Sequence, residues 1–178
     1  MSPTAQALVV NAAVLFAILE ADLGPHRRIG AFRLLRPVLA AGAIVPLFVR
    51  NPALSGAGLS LEIAGVVAGL LGGALAAAAF RVYRSPRTGR PVSRAGWAYA
   101  AVWVGVIGAR AAFSYGSVHW FAAPLGGWMR EHRVSGDALT DALLLMAVAM
   151  MLTRTAALAA RTRTVLGPVG RGVPADRA

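Results

Sequence analysis

The strongest constraint on this 178-residue chain is a recurring apolar run, broken each time by a short segment rich in glycine, proline or arginine. A helix needs about 20 mainly apolar residues to cross the hydrocarbon core of a bilayer. Five stretches meet or approach that length, at about 4–23, 32–49, 57–82, 95–118 and 137–160. Gly24-Pro25, Asn51-Pro52, Ser85-Pro86 with Gly89 and Pro91, and Pro124 with Gly126-Gly127 punctuate them. The second stretch is short and carries Pro37 and Pro46, which membrane helices tolerate when neighbouring groups satisfy the freed carbonyls. The expected fold class is all-α. It is a polytopic membrane protein with one bundle of five transmembrane helices over 1–163 and a disordered tail at 164–178.

Composition narrows the alternatives. The chain is 57% hydrophobic and 14% charged, where soluble domains average about 45–50% and about 25%. Cysteine is absent, which excludes a disulfide scaffold and a thiolate metal site. The net charge is +11, and all 18 basic residues are arginine. Nucleic-acid binding would need those arginines on one soluble face, whereas here they alternate with long apolar runs. No nucleic-acid partner is expected.

The arginines instead set orientation. Arg27, Arg28, Arg33 and Arg36 lie in or beside the first connection, and Arg81, Arg84, Arg87, Arg90 and Arg94 surround the third. Arg161, Arg163, Arg171 and Arg177 follow the fifth span. The second connection has only Arg50, and the fourth has Arg130 and Arg133 beside Glu131. Rich and poor segments alternate, as expected for a multi-pass protein of a bacterial cytoplasmic membrane with its N-terminus outside and its C-terminus in the cytoplasm. The first span lacks the basic n-region of a cleavable signal peptide, because its positive cluster follows the apolar run. Orientation and attraction to anionic headgroups account for the basic loops.

Ionisable residues inside the spans are the candidates for function, since each costs about 2.5–3.5 kcal/mol to insert. Glu20 and Asp22, at the end of the first span, read as interfacial partners of Arg27 and Arg28. Glu62 lies roughly 7 Å inside the third span and shares a face with Gly65, Gly69 and Gly73. That small-residue stripe lets helices approach closely, within one chain or between two copies, so Glu62 points at protein. Arg110 enters the fourth span, with Trp103, Phe113, Ser114 and Ser117 on or near its face. Asp137 and Asp141 open the fifth span one turn apart. Asp137 suits a helix cap, whereas Asp141 lies a turn too deep for that role. Glu62, Arg110 and Asp141 are thus expected to meet, with Asn11 of the first span joining them at middle depth. The trio forms either an ion-pair network that fixes helix register or a polar cavity that binds and reacts. Most aromatic residues fall between Trp97 and Trp128, and Trp103, Phe113 and Tyr115 lie within the fourth span. Aromatic walls suit a lipophilic ligand and stabilise positive charge.

Familiar catalytic signatures are missing. There is no zinc-binding His-Glu-x-x-His helix, no Gly-x-Ser-x-Gly elbow and no phosphate loop. His26, His119 and His132 are widely spaced, so neither a metal nor a cofactor is expected. What remains is acid–base chemistry on an apolar substrate, because a carboxyl group in a dry pocket can keep its proton near neutral pH. Glu62 is placed for that role if Arg110 pairs with Asp141.

With its five spans, its arginines without lysine, Glu62 early in the third span and Asp137 and Asp141 opening the last, the chain resembles the small actinobacterial integral-membrane terpene cyclases of drimentine- and xiamycin-type pathways. The resemblance covers about residues 4–160. It implies proton-initiated cyclisation of the prenyl chain of a lipophilic substrate, with Glu62 as the acid and Asp137 or Asp141 as its partner. It further implies Trp103, Phe113 and Tyr115 as cation stabilisers. The run from Glu62 through Arg81 and Gly96-Trp97 to Arg110 also resembles the CcdC-like five-span membrane proteins, a likeness that implies no reaction. Two functions follow: a membrane-embedded cyclase, or a non-enzymatic accessory or lipid-binding protein whose polar trio is structural.

Overall fold

The computed structural model describes residues 12, 15–16, 18–20, 22–28, 31–49, 55–86, 89 and 91–166. The described residues between 12 and 22 are helical, and five helices follow. They are α1 (Ala31–Phe48), α2 (Gly56–Ala78), α3 (Trp97–His119), α4 (Ala122–Glu131) and α5 (Gly136–Leu166). Three are long and apolar enough to cross a membrane: Gly56–Ala78, Trp97–His119 and Gly136–Val165. The protein is therefore a membrane protein. In α1, which contains Pro37 and Pro46, the apolar stretch is Leu34–Leu47, shorter than those three.

The expectation of helices alone needs correction. Three short strands, β1 (Gly24–Arg28), β2 (Phe80–Arg84) and β3 (Pro91–Ala95), form an antiparallel sheet in the order β1-β3-β2. The third apolar stretch thus ends as a helix at Ala78, and its last residues open β2. Period-two patterning explains the switch: Phe80 is buried and Val82 half-buried on one face, while Arg81 is exposed on the other. β1 comes from the first connection and the β2–β3 hairpin from the third. Two segments that loop charge assigned to one side of the membrane therefore meet in one sheet.

Helices α2 and α5 form the principal helix contact, and they run parallel. A Cβ on Gly65 would meet the Ala142 carbonyl oxygen at 2.4 Å, one on Gly69 the Met146 oxygen at 2.2 Å, and one on Gly73 the Met150 oxygen at 2.6 Å. The contact advances four residues on each helix at every step. Backbone lies on backbone, as in other small-residue seams of membrane helices. The opposite face of α2 exposes Ile63, Val67, Leu70, Leu71 and Leu75. Large apolar side chains outside and glycine inside invert the pattern of a water-soluble helix, as a lipid solvent requires.

The core sits where the helices meet the sheet: Ala76, Ala77, Phe80, Ala95, Tyr99, Trp103, Ile107, Met150 and Leu158. Arg161 closes that end by donating to the carbonyls of Ala77 and Phe80, both at 2.7 Å, so a cation caps the C-terminus of α2. Trp97 begins α3 beside the sheet and is 83% exposed, and Trp120 follows its far end at 73%. Their 23 intervening steps rise about 34 Å, close to a hydrocarbon core flanked by two interfacial tryptophans.

The glycine seam makes a direct prediction. Gly69→Val drives a side chain into the Met146 carbonyl and lowers stability by about 3 kcal/mol, the upper range for overpacking. Gly105→Ala, where a Cβ meets nothing within 4 Å, leaves stability unchanged or slightly higher. Thermal unfolding of the detergent-solubilised protein checks both. Equal loss in the two variants would contradict the seam.

Candidate functional site

The parallel pairing of α2 and α5 decides which ionisable groups meet. Glu62 lies one turn before Gly65, and Asp141 directly precedes Ala142, against which Gly65 rests. Both carboxyl groups are buried, 6% and 5% exposed, and Asp141 is within electrostatic reach of Glu62. Two of the three expected charges are therefore neighbours in one helix seam. Asp137, one turn earlier, is exposed and also acts on Asp141. It is not the helix cap: the Ser135 hydroxyl takes that role, accepting from the Ala138 amide at 3.1 Å.

Arg110 does not complete the trio. It is half-buried on α3 and, among the described residues, forms no ion pair with Glu62 or Asp141. The expected Arg110–Asp141 pair is thus replaced by the Glu62–Asp141 neighbourhood. The reason lies in how α3 packs. Its buried face over the first half is Tyr99, Trp103 and Ile107, all directed to the core at the sheet end. Arg110 comes where that cover ends. Trp103 belongs to the sheet-end core, its ring 6.2 Å from that of Tyr99. Phe113 meets Phe121 at 5.7 Å, and Tyr115 stacks on His119 at 4.2 Å with Trp120 edge-on at 5.4 Å. Those two rings lie towards the same end of the molecule as Glu62, while Trp103 lies towards the other. Asn11 falls outside the described residues.

A second polar cluster joins α3, α5 and the residues before β1. Asp22, 5% exposed, is in an ion pair with Arg154, which is 9% exposed. The Tyr99 hydroxyl donates to the same Asp22 Oδ2 at 2.5 Å, and the Arg154 guanidinium lies 5.9 Å from the Tyr99 ring centre. Asp22 is therefore held by Arg154 of the last helix, while the side chains of Arg27 and Arg28 lie outside the described ones. A cleft of about 10 Å³, room for a single water molecule, adjoins the cluster. Phe80, Ser93, Ala95 and Leu158 complete its walls. Arg154 Nε and Trp103 Nε1 are buried donors without a hydrogen-bond partner among the described residues. Arg154 escaped the sequence reading. A lone arginine among the apolar residues of the last span was the available signal, since a buried guanidinium demands an acidic partner.

The two clusters differ in kind. Asp22 and Arg154 neutralise each other, and Tyr99 satisfies a further lone pair. Glu62 and Asp141 bring two carboxyl groups together at the other end of α2 and α5. No group of three or more potential metal ligands occurs among the described residues. No family model, curated protein or solved structure matches the chain.

The ion pair predicts a non-additive pattern. Asp22→Asn leaves Arg154 buried without its counter-charge and costs about 3–5 kcal/mol. Asp22→Leu combined with Arg154→Met removes both charges and restores most of that loss. Tyr99→Phe costs about 1.5–3 kcal/mol, the range for a hydrogen bond to a charged group. A double-mutant cycle by chemical unfolding in detergent measures the coupling. Purely additive effects would show that the pair does not interact.

Proposed function

We propose that this chain is a five-span protein of a bacterial cytoplasmic membrane, N-terminus outside and C-terminus inside, and that it is a terpene cyclase acting by proton-initiated cyclisation. The observation that carries the reading is the burial of Glu62 beside Asp141 in the α2–α5 seam. A carboxyl group buried in the membrane interior is a proton source suited to an apolar molecule. The meeting of both arginine-rich connections and the C-terminal end of α5 at the sheet supports the orientation.

The chemistry balances without an oxidant or reductant. The Glu62 carboxyl group transfers its proton to the terminal alkene carbon of a prenyl chain, leaving a tertiary carbocation. The next double bond attacks that centre, a ring closes, and the cation moves along the chain. Loss of a proton from the last cation to a carboxylate gives a cyclic isomer of unchanged mass and restores the acid. Asp141 is the partner carboxyl group beside Glu62. Phe113 and Tyr115 offer ring faces at the same end of α3, and ring faces stabilise developing positive charge. The substrate class is a lipophilic prenylated small molecule delivered from the bilayer.

A second reading has its own support. The Asp22–Arg154–Tyr99 cluster is a neutral, hydrogen-bonded network of the kind that fixes helix register, which suits a non-enzymatic accessory or lipid-binding protein. One experiment separates the two. Membranes containing the protein are incubated with farnesylated indoles and related prenyl substrates, and products of unchanged mass are sought by chromatography and mass spectrometry. The cyclase reading expects cyclised isomers, with Glu62→Gln reducing turnover at least about 100-fold, as loss of a general acid does. Asp141→Asn reduces it less. Full activity of the Glu62→Gln protein would refute the acid assignment. Absence of cyclised product from the intact protein across the substrate panel would favour the accessory reading.

A further inference from the structure

The sheet face opposite Phe80, Val82 and Ser93 carries an arrangement that neither the polar seam nor the ion pair uses. Arg81 of β2 and Arg94 of β3 are direct register partners, and both are exposed. Residues opposite each other in an antiparallel pair have Cβ atoms about 4.5–5.5 Å apart, and like charges there destabilise the pairing. Among the described residues neither arginine takes part in an ion pair or a side-chain hydrogen bond. Among the described residues no carboxylate is in an ion pair with either arginine. The described carboxylates at this end are Glu20 and Asp22, and Asp22 is bound to Arg154 and Tyr99. Arg36, Arg84 and Arg163 add further exposed positive charge at the same end.

Position in the bilayer identifies the counter-charge. Trp97, 83% exposed, follows β3 after a single residue and marks the headgroup level. The two arginines thus face the layer in which lipid phosphates lie, and β1 and β2 leave strand edges that only a hydrated layer tolerates. We infer that Arg81 and Arg94 form a binding site for the phosphate of anionic phospholipid headgroups. Two adjacent guanidinium groups converge on one phosphodiester, each offering forked N–H donors that suit its oxygens. A lipid phosphate there removes the repulsion between the two arginines and ties the hairpin to the membrane surface. This site depends on the membrane setting and not on the cyclisation chemistry.

Native mass spectrometry of the full chain in detergent, titrated with phosphatidylglycerol or phosphatidylcholine, tests the inference. One phosphatidylglycerol binds in clear preference to phosphatidylcholine. Each arginine near an anionic surface is worth about a fivefold change in affinity. Arg94→Gln therefore weakens phosphatidylglycerol binding about fivefold, and Arg81→Gln with Arg94→Gln about 25-fold, with phosphatidylcholine unaffected. Arg81→Lys with Arg94→Lys keeps the charge and retains part of the preference. Thermal unfolding guards against variants that fold poorly. Phosphatidylglycerol raises the midpoint of the intact protein, and Arg94→Gln loses part of that gain while matching or exceeding the intact protein in phosphatidylcholine. Equal binding of the two lipids by the intact protein would overturn the inference. So would undiminished phosphatidylglycerol binding by the double glutamine variant. Displacement of the lipid by a short RNA at lower concentration than by added phosphatidylglycerol would assign the surface to nucleic acid instead.

Discussion

The close approach of α2 to α5 governs the rest of the molecule. Gly65, Gly69 and Gly73 bring the two backbones into contact at successive turns, and in lipid this contact cannot rely on the hydrophobic effect. Hydrocarbon is as apolar as leucine, so helix association rests on close van der Waals packing and interhelical hydrogen bonds. With the Ala149 and Thr153 Cβ atoms set against Gly69 and Gly73, the seam has little freedom to slide. Its register fixes Glu62 beside Asp141 at one end and sets the height of Arg154 at the other. Both polar clusters are consequences of one backbone alignment.

At the sheet end the same alignment meets a different solvent. Strand edges cannot be left open in hydrocarbon, because their unpaired amides and carbonyls find no partner there. A three-stranded antiparallel sheet with β3 in the middle leaves two edges, so its place is the hydrated interface. Its inner face, through Phe80, Ser93 and Ala95, lids the Asp22–Arg154–Tyr99 cluster. The ion pair thereby escapes both water and lipid. Its net charge is zero, and Tyr99 supplies the added hydrogen bond that makes burial of the carboxylate tolerable.

Much of this was legible in the sequence, and the failures are instructive. Bilayer thickness dictates helix length, so α2, α3 and α5 were readable from apolar runs alone. The inward direction of Glu62 followed from its spacing to Gly65, because helix period fixes a face. The period could not say which neighbour covers that face, so Arg110 was assigned a partner it does not have. The strands hid because β1 and most of β3, short and carrying arginine beside glycine or proline, read as charged loops, while the start of β2 read as the end of the third span. Alternation in Phe80–Arg84 was present, yet β1 pairs with β3 across a long stretch of chain that no local pattern reveals. Arg154 and Asp22 likewise lie near opposite ends of the sequence, and only the folded alignment brings them together.

The contrast between the two clusters bears on where chemistry belongs. Asp22 with Arg154 is at its electrostatic minimum, and adding or removing a proton would unbalance it. Such a pair resists change and suits a structural role. Glu62 and Asp141 instead set two carboxyl groups side by side in one seam, with no such charge balance between the two of them. The glycine seam fixes the register that places these two carboxyl groups together. Packing that looks purely structural in α2 and α5 is therefore what sets the two carboxyl groups side by side.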